Sequence, residues 1–309
     1  MKILITGGAG FIGSNLCDYL LERMHEVVIV DDLSTGHKLN LTSSIGRIEF
    51  IEGKVEHFDF SLISGLDAVV HLAAQASVPL SITNFGDSSC SNLVGTIRIM
   101  DFCRLRRIPL IYASSSAIYG NLSLGDDEVK EIDLISPYAA DKFAMELYAR
   151  TAHELYQLSS IGLRFFNVYG PRQDPHSPYS GVISIFVDKV LSGQEITIYG
   201  GSQTRDFVYV PDVVSTLESA IYLASTSVIC EVSNVLSGTS VSIDNLSNQI
   251  MNVTGEKVDT VYKPLPSGDP EQSDGTVAKM ARLFGIKVDM LCKLNVGLNK
   301  TIRYIESQK

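Results

Sequence analysis

The segment Gly7-Gly8-Ala9-Gly10-Phe11-Ile12-Gly13 follows directly on a short aliphatic run at residues 2–6 and leads into apolar residues at helical spacing. Few folds join a strand, a tight glycine turn and a helix in that order. Glycines at 7, 10 and 13 allow a sharp turn and let an anionic group approach the helix N-terminus, where unpaired N–H groups and the helix dipole favour negative charge. A second strand-like run, Glu26 to Val30, ends at Asp31. A carboxylate there can accept both hydroxyls of an adenosine ribose and would repel a 2′-phosphate. A glycine turn alone is often only structural, and a lone Asp at a strand end is usually solvated. The two in this order read as a dinucleotide site for NAD rather than NADP. Its candidate residues are Gly7, Gly10, Phe11, Ile12, Gly13 and Asp31.

Further strand-like runs at 48–51, 68–71, 109–114 and 160–165 alternate with helical patterns at 11–21, 93–102 and 136–156. This alternation predicts an α/β fold, a doubly wound parallel sheet with helices on both faces. After Phe166 the pattern changes. Residues 171–181 are rich in turn formers, and shorter strand and helix pieces follow. The expected organisation is a Rossmann domain over 1–165, with a segment near 206–235 returning to it, and a smaller C-terminal α/β substrate domain over 166–309.

Hydrophobic content of 45% and charged content of 19% describe a globular chain rather than a disordered one. No apolar run approaches the roughly 18 residues of a membrane span, and the start has no signal-peptide layout. A net charge of −10 argues against nucleic acid, whose binding rests on phosphate neutralisation by Lys and Arg. The five cysteines form no Cys-x-x-Cys pair and the six histidines show no ligand spacing. The expectation is a cytoplasmic protein with free thiols and no metal site.

Tyr138 and Lys142 stand four residues apart, on one face of the helix that Ser136 as N-cap and Pro137 in the first turn would start. A phenol with an ordinary pKa of about 10 needs roughly 4 kcal/mol of help to act as a base near pH 7. A nearby cation favours the phenolate. Such a phenolate beside a nicotinamide can take a proton from a sugar hydroxyl while hydride leaves the same carbon. His71-Leu72-Ala73-Ala74 ends another strand in small side chains, so Ala73 and Ala74 would let a cofactor lie close to the backbone. Tight helix–sheet packing would explain the same residues. Ser177-Pro178-Tyr179 repeats the triplet around Tyr138, but Ile183 stands where lysine is required, so Tyr179 is assigned to a substrate loop.

Together with Ser114-Ser115-Ser116-Ala117-Ile118-Tyr119-Gly120, Arg164-Phe165-Phe166-Asn167-Val168-Tyr169-Gly170 and Arg205-Asp206-Phe207-Val208-Tyr209-Val210, these motifs resemble the extended short-chain dehydrogenase/reductase family, in particular its nucleotide-sugar 4-epimerase branch. The resemblance covers nearly the whole chain. It implies a tightly held NAD, a UDP-sugar substrate and reversible inversion at C4 through a transient 4-keto sugar. It puts the catalytic hydroxyl on Ser115, with Ser116 as the adjacent alternative, beside Tyr138 and Lys142. It implies substrate contacts at Asn167, Gly181, Val182, Thr197, Tyr199, Arg205 and Asp269. Ala76, Gly181 and Ser273 fall at pocket positions and are all small, which leaves room for an N-acetyl group. UDP-N-acetylglucosamine and its galacto epimer are therefore expected, with UDP-glucose also possible.

The match has departures. Pro266 stands where relatives carry a diphosphate-binding arginine before Gly268-Asp269, with Arg172 or Lys263 as alternatives. Ser116-Ala117 replaces the Asp-Glu pair of 4,6-dehydratases, which speaks against that chemistry. No extra cation cluster favours a UDP-glucuronate decarboxylase. A non-catalytic NAD-binding regulator is the alternative of a different class. Homodimers through helices matching 88–106 and 136–156 are usual in the family.

Overall fold

The computed structural model of the protein describes residues 1–177, 180–266 and 269–308, so Tyr179 and Gly268 lie outside the described residues. The chain opens with β1 (Lys2–Thr6), α1 (Phe11–Glu22), β2 (Glu26–Asp31), β3 (Ile48–Glu52) and β4 (Ala68–His71). Then come α2 (Val78–Thr83), α3 (Phe85–Ser89), a π turn at Cys90–Val94 and α4 (Gly95–Arg106). The spacing predicts a helix over 93–102. The structure instead has a longer helical run, interrupted by that π turn. β5 (Leu110–Ser115), α5 (Pro137–Tyr156), β6 (Ser160–Phe165), β7 (Asn167–Tyr169), α6 (Val182–Leu191), β8 (Ile196–Tyr199) and β9 (Thr204–Tyr209) follow. The rest comprises α7 (Val210–Thr226), β10 (Cys230–Val235), β11 (Ser240–Ser242), α8 (Ile243–Thr254), β12 (Thr260–Lys263), α9 (Ala278–Phe284) and α10 (Leu294–Ser307). Among the described residues no helix is long and apolar enough to cross a membrane.

Seven strands form the main sheet in the order β3-β2-β1-β4-β5-β6-β10. β1 runs parallel to both β2 and β4, and β2–β3 and β4–β5 are parallel as well. Strand order therefore reverses between β1 and β4, the place where doubly wound sheets bind ligands at their carboxyl ends. Ile3, Leu4 and Ile5 are fully buried, as expected of a strand covered by helices on both faces. Leu4, Val28, Val69, Ile99, Leu110, Tyr112, Met145 and Ala149 belong to one core cluster.

The chain divides into two compact units. The first comprises Met1–Ile118, Leu134–Arg164 and Val214–Ser233, and holds most of the main sheet. The second comprises Tyr119–Asp133, Phe165–Val213 and Asn234–Lys309. Within the second, β9 pairs in parallel with β7 and antiparallel with β11, while β8 and β12 form a separate parallel pair. Its core gathers Phe186, Val187 and Val190 of α6, Ile196 and Ile198 of β8, Leu246 and Ile250 of α8, and Leu298 and Ile302 of α10.

A buried polar chain ties the strand ends at the switch point together. The Thr96 hydroxyl donates to the Asn92 carbonyl at 2.6 Å, so it can only accept from the Nε2–H of His71 at 3.0 Å. That leaves His71 Nδ1 as an acceptor for the Thr6 hydroxyl at 2.7 Å, and Thr6 Oγ1 accepts the Ala73 N–H at 3.3 Å. The imidazole is neutral in this arrangement. Burial, with a further push from the Lys142 charge, lowers its pKa to about 3. The unfolded chain binds a proton on His71 below about pH 6.5, which the folded chain refuses until about pH 3. Stability is therefore undiminished by this group above pH 6.5 and falls as pH drops through that window, by about 1.4 kcal/mol per unit. Urea unfolding of the wild type and His71→Gln should show the wild type's advantage shrinking by about 3 kcal/mol between pH 7 and pH 4. Parallel curves would mean that the imidazole titrates normally.

Candidate active site

The cofactor end is built from backbone. Gly10 is the N-cap of α1, Phe11 and Ile12 are its first residues, and no side chain caps the helix. A Cβ on Gly13 would lie 2.2 Å from the Gly7 carbonyl oxygen. One on Gly7, where φ is +72°, would lie 2.6 Å from the Ala73 nitrogen. Glycine is thus required at both places, and the N-terminus of α1 is left open to an anion. Asp31 ends β2 with a buried carboxylate that accepts the N–H of Ala9 at 2.9 Å and of Leu33 at 2.8 Å. Burial pushes this carboxyl upward, and the two backbone N–H groups pull it back. Carboxylate oxygens retain lone pairs beyond these two bonds, so a ribose diol can still be held. A segment not singled out from the sequence completes the turn. His37 N–H and the Asn40 side-chain amide both donate to the Ala9 carbonyl, at 3.0 and 2.9 Å. Gly36 packs so closely that a Cβ there would lie 3.0 Å from Asp31. These residues fit the pyrophosphate and ribose of NAD.

The predicted reactive set comes together in the first unit. Ser136 caps α5 by accepting from the Ala139 N–H at 3.1 Å, and Pro137 follows in the first turn. The Tyr138 N–H donates to the Ser81 hydroxyl at 3.2 Å, tying α5 to α2. The Ser115 hydroxyl is near enough to the Tyr138 phenol to pull its pKa down. Ser115 is buried at the end of β5 and also accepts the Ala117 N–H at 3.1 Å, whereas Ser116 is only half-buried in the turn beyond. The geometry thus distinguishes Ser115 from its neighbour.

Lys142 departs from expectation. The four-residue spacing predicts an ammonium that lowers the phenol's pKa. Instead Lys142 Nζ lies 5.6 Å from the Tyr138 ring centroid and donates to the Ala113 carbonyl at 2.7 Å. Burial raises the Tyr138 phenol above its usual value, and the Ser115 hydrogen bond is what opposes the rise. The physical reason is that packing around the ring penalises the phenolate more than the Ser115 hydroxyl helps it. Lys142 is itself 2% exposed, and burial brings its pKa down to about 8 against the upward pull of Asp141. It is still mostly charged at neutral pH.

The other named residues divide between the units. Ala73 and Ala74 follow β4 in the first unit, where Ala76 is exposed just before α2. In the second unit Gly181 is the N-cap of α6 and Val182 its first residue. Thr197 and Tyr199 alternate with the buried Ile196 and Ile198 on β8, so they face outward. The Asn167 side chain donates to the Asp206 carbonyl at 3.2 Å. Arg205 and Asp269, named separately from the sequence, pair with each other at 2.6 Å. The Arg205 guanidinium also donates to the Thr204 carbonyl at 2.7 Å and is largely buried, whereas Asp269 is exposed, so the pair sits at the surface with its cation held inward. Ser273 lies beside them, donating its N–H to the Thr204 carbonyl at 3.2 Å. Lys263 sits 6.0 Å from the Tyr199 ring centroid.

Comparison with known proteins agrees with this architecture. The profile of the NAD dependent epimerase/dehydratase family matches residues 3–228. The UDP-glucose 4-epimerase of Mycolicibacterium smegmatis is 34% identical over 100% of this chain and 99% of its own. A solved UDP-N-acetylglucosamine 4-epimerase from Methanobrevibacter ruminantium, in complex with UDP-N-acetylmuramic acid, superposes with a TM-score of 0.91 at 34% identity, covering 100% of this chain and 99% of that one. A UDP-glucuronic acid 4-epimerase from Bacillus cereus, solved with UDP-glucuronic acid and NAD, gives a TM-score of 0.91 at 29% identity over 100% of both chains. The chain belongs to the NAD-dependent epimerase/dehydratase family, as an isomerase that works with NAD.

Proposed function

We propose that the protein inverts C4 of UDP-hexoses, with UDP-N-acetylglucosamine and UDP-N-acetylgalactosamine as its preferred pair and UDP-glucose and UDP-galactose also accepted. The observation that carries this reading is the gathering of Tyr138, Lys142 and Ser115 at the end of β5, with Lys142 Nζ 5.6 Å from the Tyr138 ring centroid and the Ser115 hydroxyl near enough to act on the phenol. Tyr138 takes the C4 hydroxyl proton, directly or through Ser115, and returns it after the sugar has turned over. Lys142 supplies positive charge and a nicotinamide-ribose contact. NAD, when bound, supplies a hydride acceptor and donor at C4, leaving no net redox change. Arg205 neutralises diphosphate charge, with Asp269 setting the guanidinium's orientation. Asn167 and the backbone at Gly181 and Val182 also contact the UDP-sugar, and Thr197 and Tyr199 line its base. Gly181 and Ser273, both small, supply room for an acetamido group in the second unit.

Val94 of the π turn, Leu105 of α4, and Leu147, Tyr148 and Leu155 of α5 are exposed, which supports a homodimer through these helices. Five free thiols suit the reducing cytoplasm.

Incubation with UDP-N-acetylglucosamine should give the galacto epimer on product separation, and Tyr138→Phe should lower kcat by about a thousandfold. A dehydrated keto sugar, or full turnover by the Phe variant, would refute the assignment. Ser273→Tyr should reduce kcat/KM for acetylated sugars about tenfold more than for UDP-glucose, and equal losses would remove the pocket argument. Light scattering should give twice the mass of one chain, falling to a single chain's mass in Leu147→Glu. An unchanged mass in that variant would move the interface elsewhere.

A further inference from the structure

Tyr138, Lys142 and Glu146 stand at i, i+4 and i+8 on α5, one stripe along one face. The first two have roles in the reaction proposed above, and the third has none. Glu146 is nonetheless the most firmly held side chain of the stripe. Its carboxylate receives Arg164 of β6 in two parallel bonds, from Nε at 2.9 Å and from Nη2 at 2.7 Å. The Ser114 hydroxyl of β5 donates to the same carboxylate at 2.6 Å. All three side chains are at least nine-tenths buried.

β5 meets α5 at three consecutive residues. The Ala113 carbonyl takes Lys142, the Ser114 hydroxyl holds Glu146, and the Ser115 hydroxyl lies near the Tyr138 phenol and acts on its pKa. A helix packed on a sheet through apolar side chains alone can shift or roll slightly at little cost. A bidentate ion pair at one end of the stripe removes that freedom, because a planar guanidinium and a carboxylate tolerate little misalignment.

Energetics argue against stability as the reason for the pair. A buried ion pair replaced by well-packed apolar residues is often neutral or even stabilising. What the carboxylate adds that leucine could not is direction. We propose that Glu146, clamped by Arg164 and Ser114, is a positioning residue that fixes α5 against β5 so that the Tyr138 phenol meets the Ser115 hydroxyl. This rests on the reading of Tyr138 as the base.

Two variants test it. Ser114→Ala removes one tie and leaves the ion pair intact. The triple variant S114A/E146L/R164M replaces the whole polar cluster with apolar volume and leaves no buried charge unpaired. Ser114→Ala should lower kcat about threefold to tenfold and the triple variant about a hundredfold, with KM within about twofold of wild type in both. Because the Ser115 bond is what opposes the rise in the phenol's pKa, the acid limb of kcat should move to higher pH in both variants. A purely structural role would change the thermal midpoint and leave that limb in place. Wild-type kcat and an unmoved acid limb in Ser114→Ala overturn the proposal, and this variant decides alone if the triple variant fails to fold. Full turnover by Tyr138→Phe would overturn the underlying reading as well. Loss of turnover in that variant, with Ser114→Ala unchanged, overturns only the role of Glu146.

Discussion

Burying an ammonium is unfavourable, and the first unit of this protein is arranged around one. Lys142 is almost wholly enclosed, and its pKa falls from 10.5 to about 8. The shift corresponds to a cost on the order of 3 kcal/mol to the folded chain near neutral pH, relieved only as pH rises through about 8 toward 10.5. The surroundings offset part of it. The Ala113 carbonyl accepts from the ammonium, and the Asp141 carboxylate lies close enough to favour the charge. The same charge helps keep His71 neutral, and the neutral ring is what allows the chain of bonds from Thr96 to Ala73. The amine thus acts on the cofactor turn through a ring it does not touch.

Neighbouring residues of β9 show how one strand serves two purposes. Asp206 is fully buried and accepts the backbone N–H groups of Ser237, Gly238 and Thr239 at 2.7, 2.7 and 2.9 Å. Burial still pushes its carboxyl upward, because even several backbone bonds do not fully replace water around a carboxylate. This residue organises a loop. Arg205 beside it pairs instead with Asp269, at the edge where Glu271 and Ser273 run along the strand. Successive side chains of a strand point to opposite faces, so alternation alone separates the structural acid from the cation assigned to the diphosphate.

β1, β2 and β4 are legible in the sequence because strands covered on both faces read as aliphatic runs, whereas the edge strand β3 shows only short apolar stretches between acids. α1 and α5 are legible for a different reason: the glycine turn and the Ser136-Pro137 start leave distinct signals. The π turn at Cys90–Val94 leaves no such signal, since one extra residue in a helical turn hardly disturbs apolar spacing. At the site, the Tyr138–Lys142 spacing is visible, but its electrostatic consequence is not, because the direction of a phenol's shift depends on packing that no spacing encodes. Gly36 is hidden in a loop and Asn40 in a 3₁₀ turn (Lys38–Ser44) too short to show a period. Glu146 is one turn beyond Lys142, yet nothing in the sequence tells that turn from any exposed Glu on a helix. Its meaning comes from Arg164, brought alongside only by the strand order of the sheet.

Five buried ionisable groups of the first unit share one location. His71, Asp141, Lys142, Glu146 and Arg164 lie on β4, α5 and β6, around the end of β5. One Asp141 carboxylate oxygen has no hydrogen-bond partner among the described residues, and its carboxyl is pushed upward by burial. A core selected for stability alone would replace these groups with apolar side chains, since paired buried charges rarely outperform close packing and unpaired ones are worse. Elsewhere the same sheet follows that rule at Ile3, Leu4 and Ile5 of β1, which are fully enclosed. Local physical rules are therefore broken at one place and kept at another within a single sheet. That contrast supports the chemistry proposed at the end of β5, because charge and direction are what a fold gains from such costly burial.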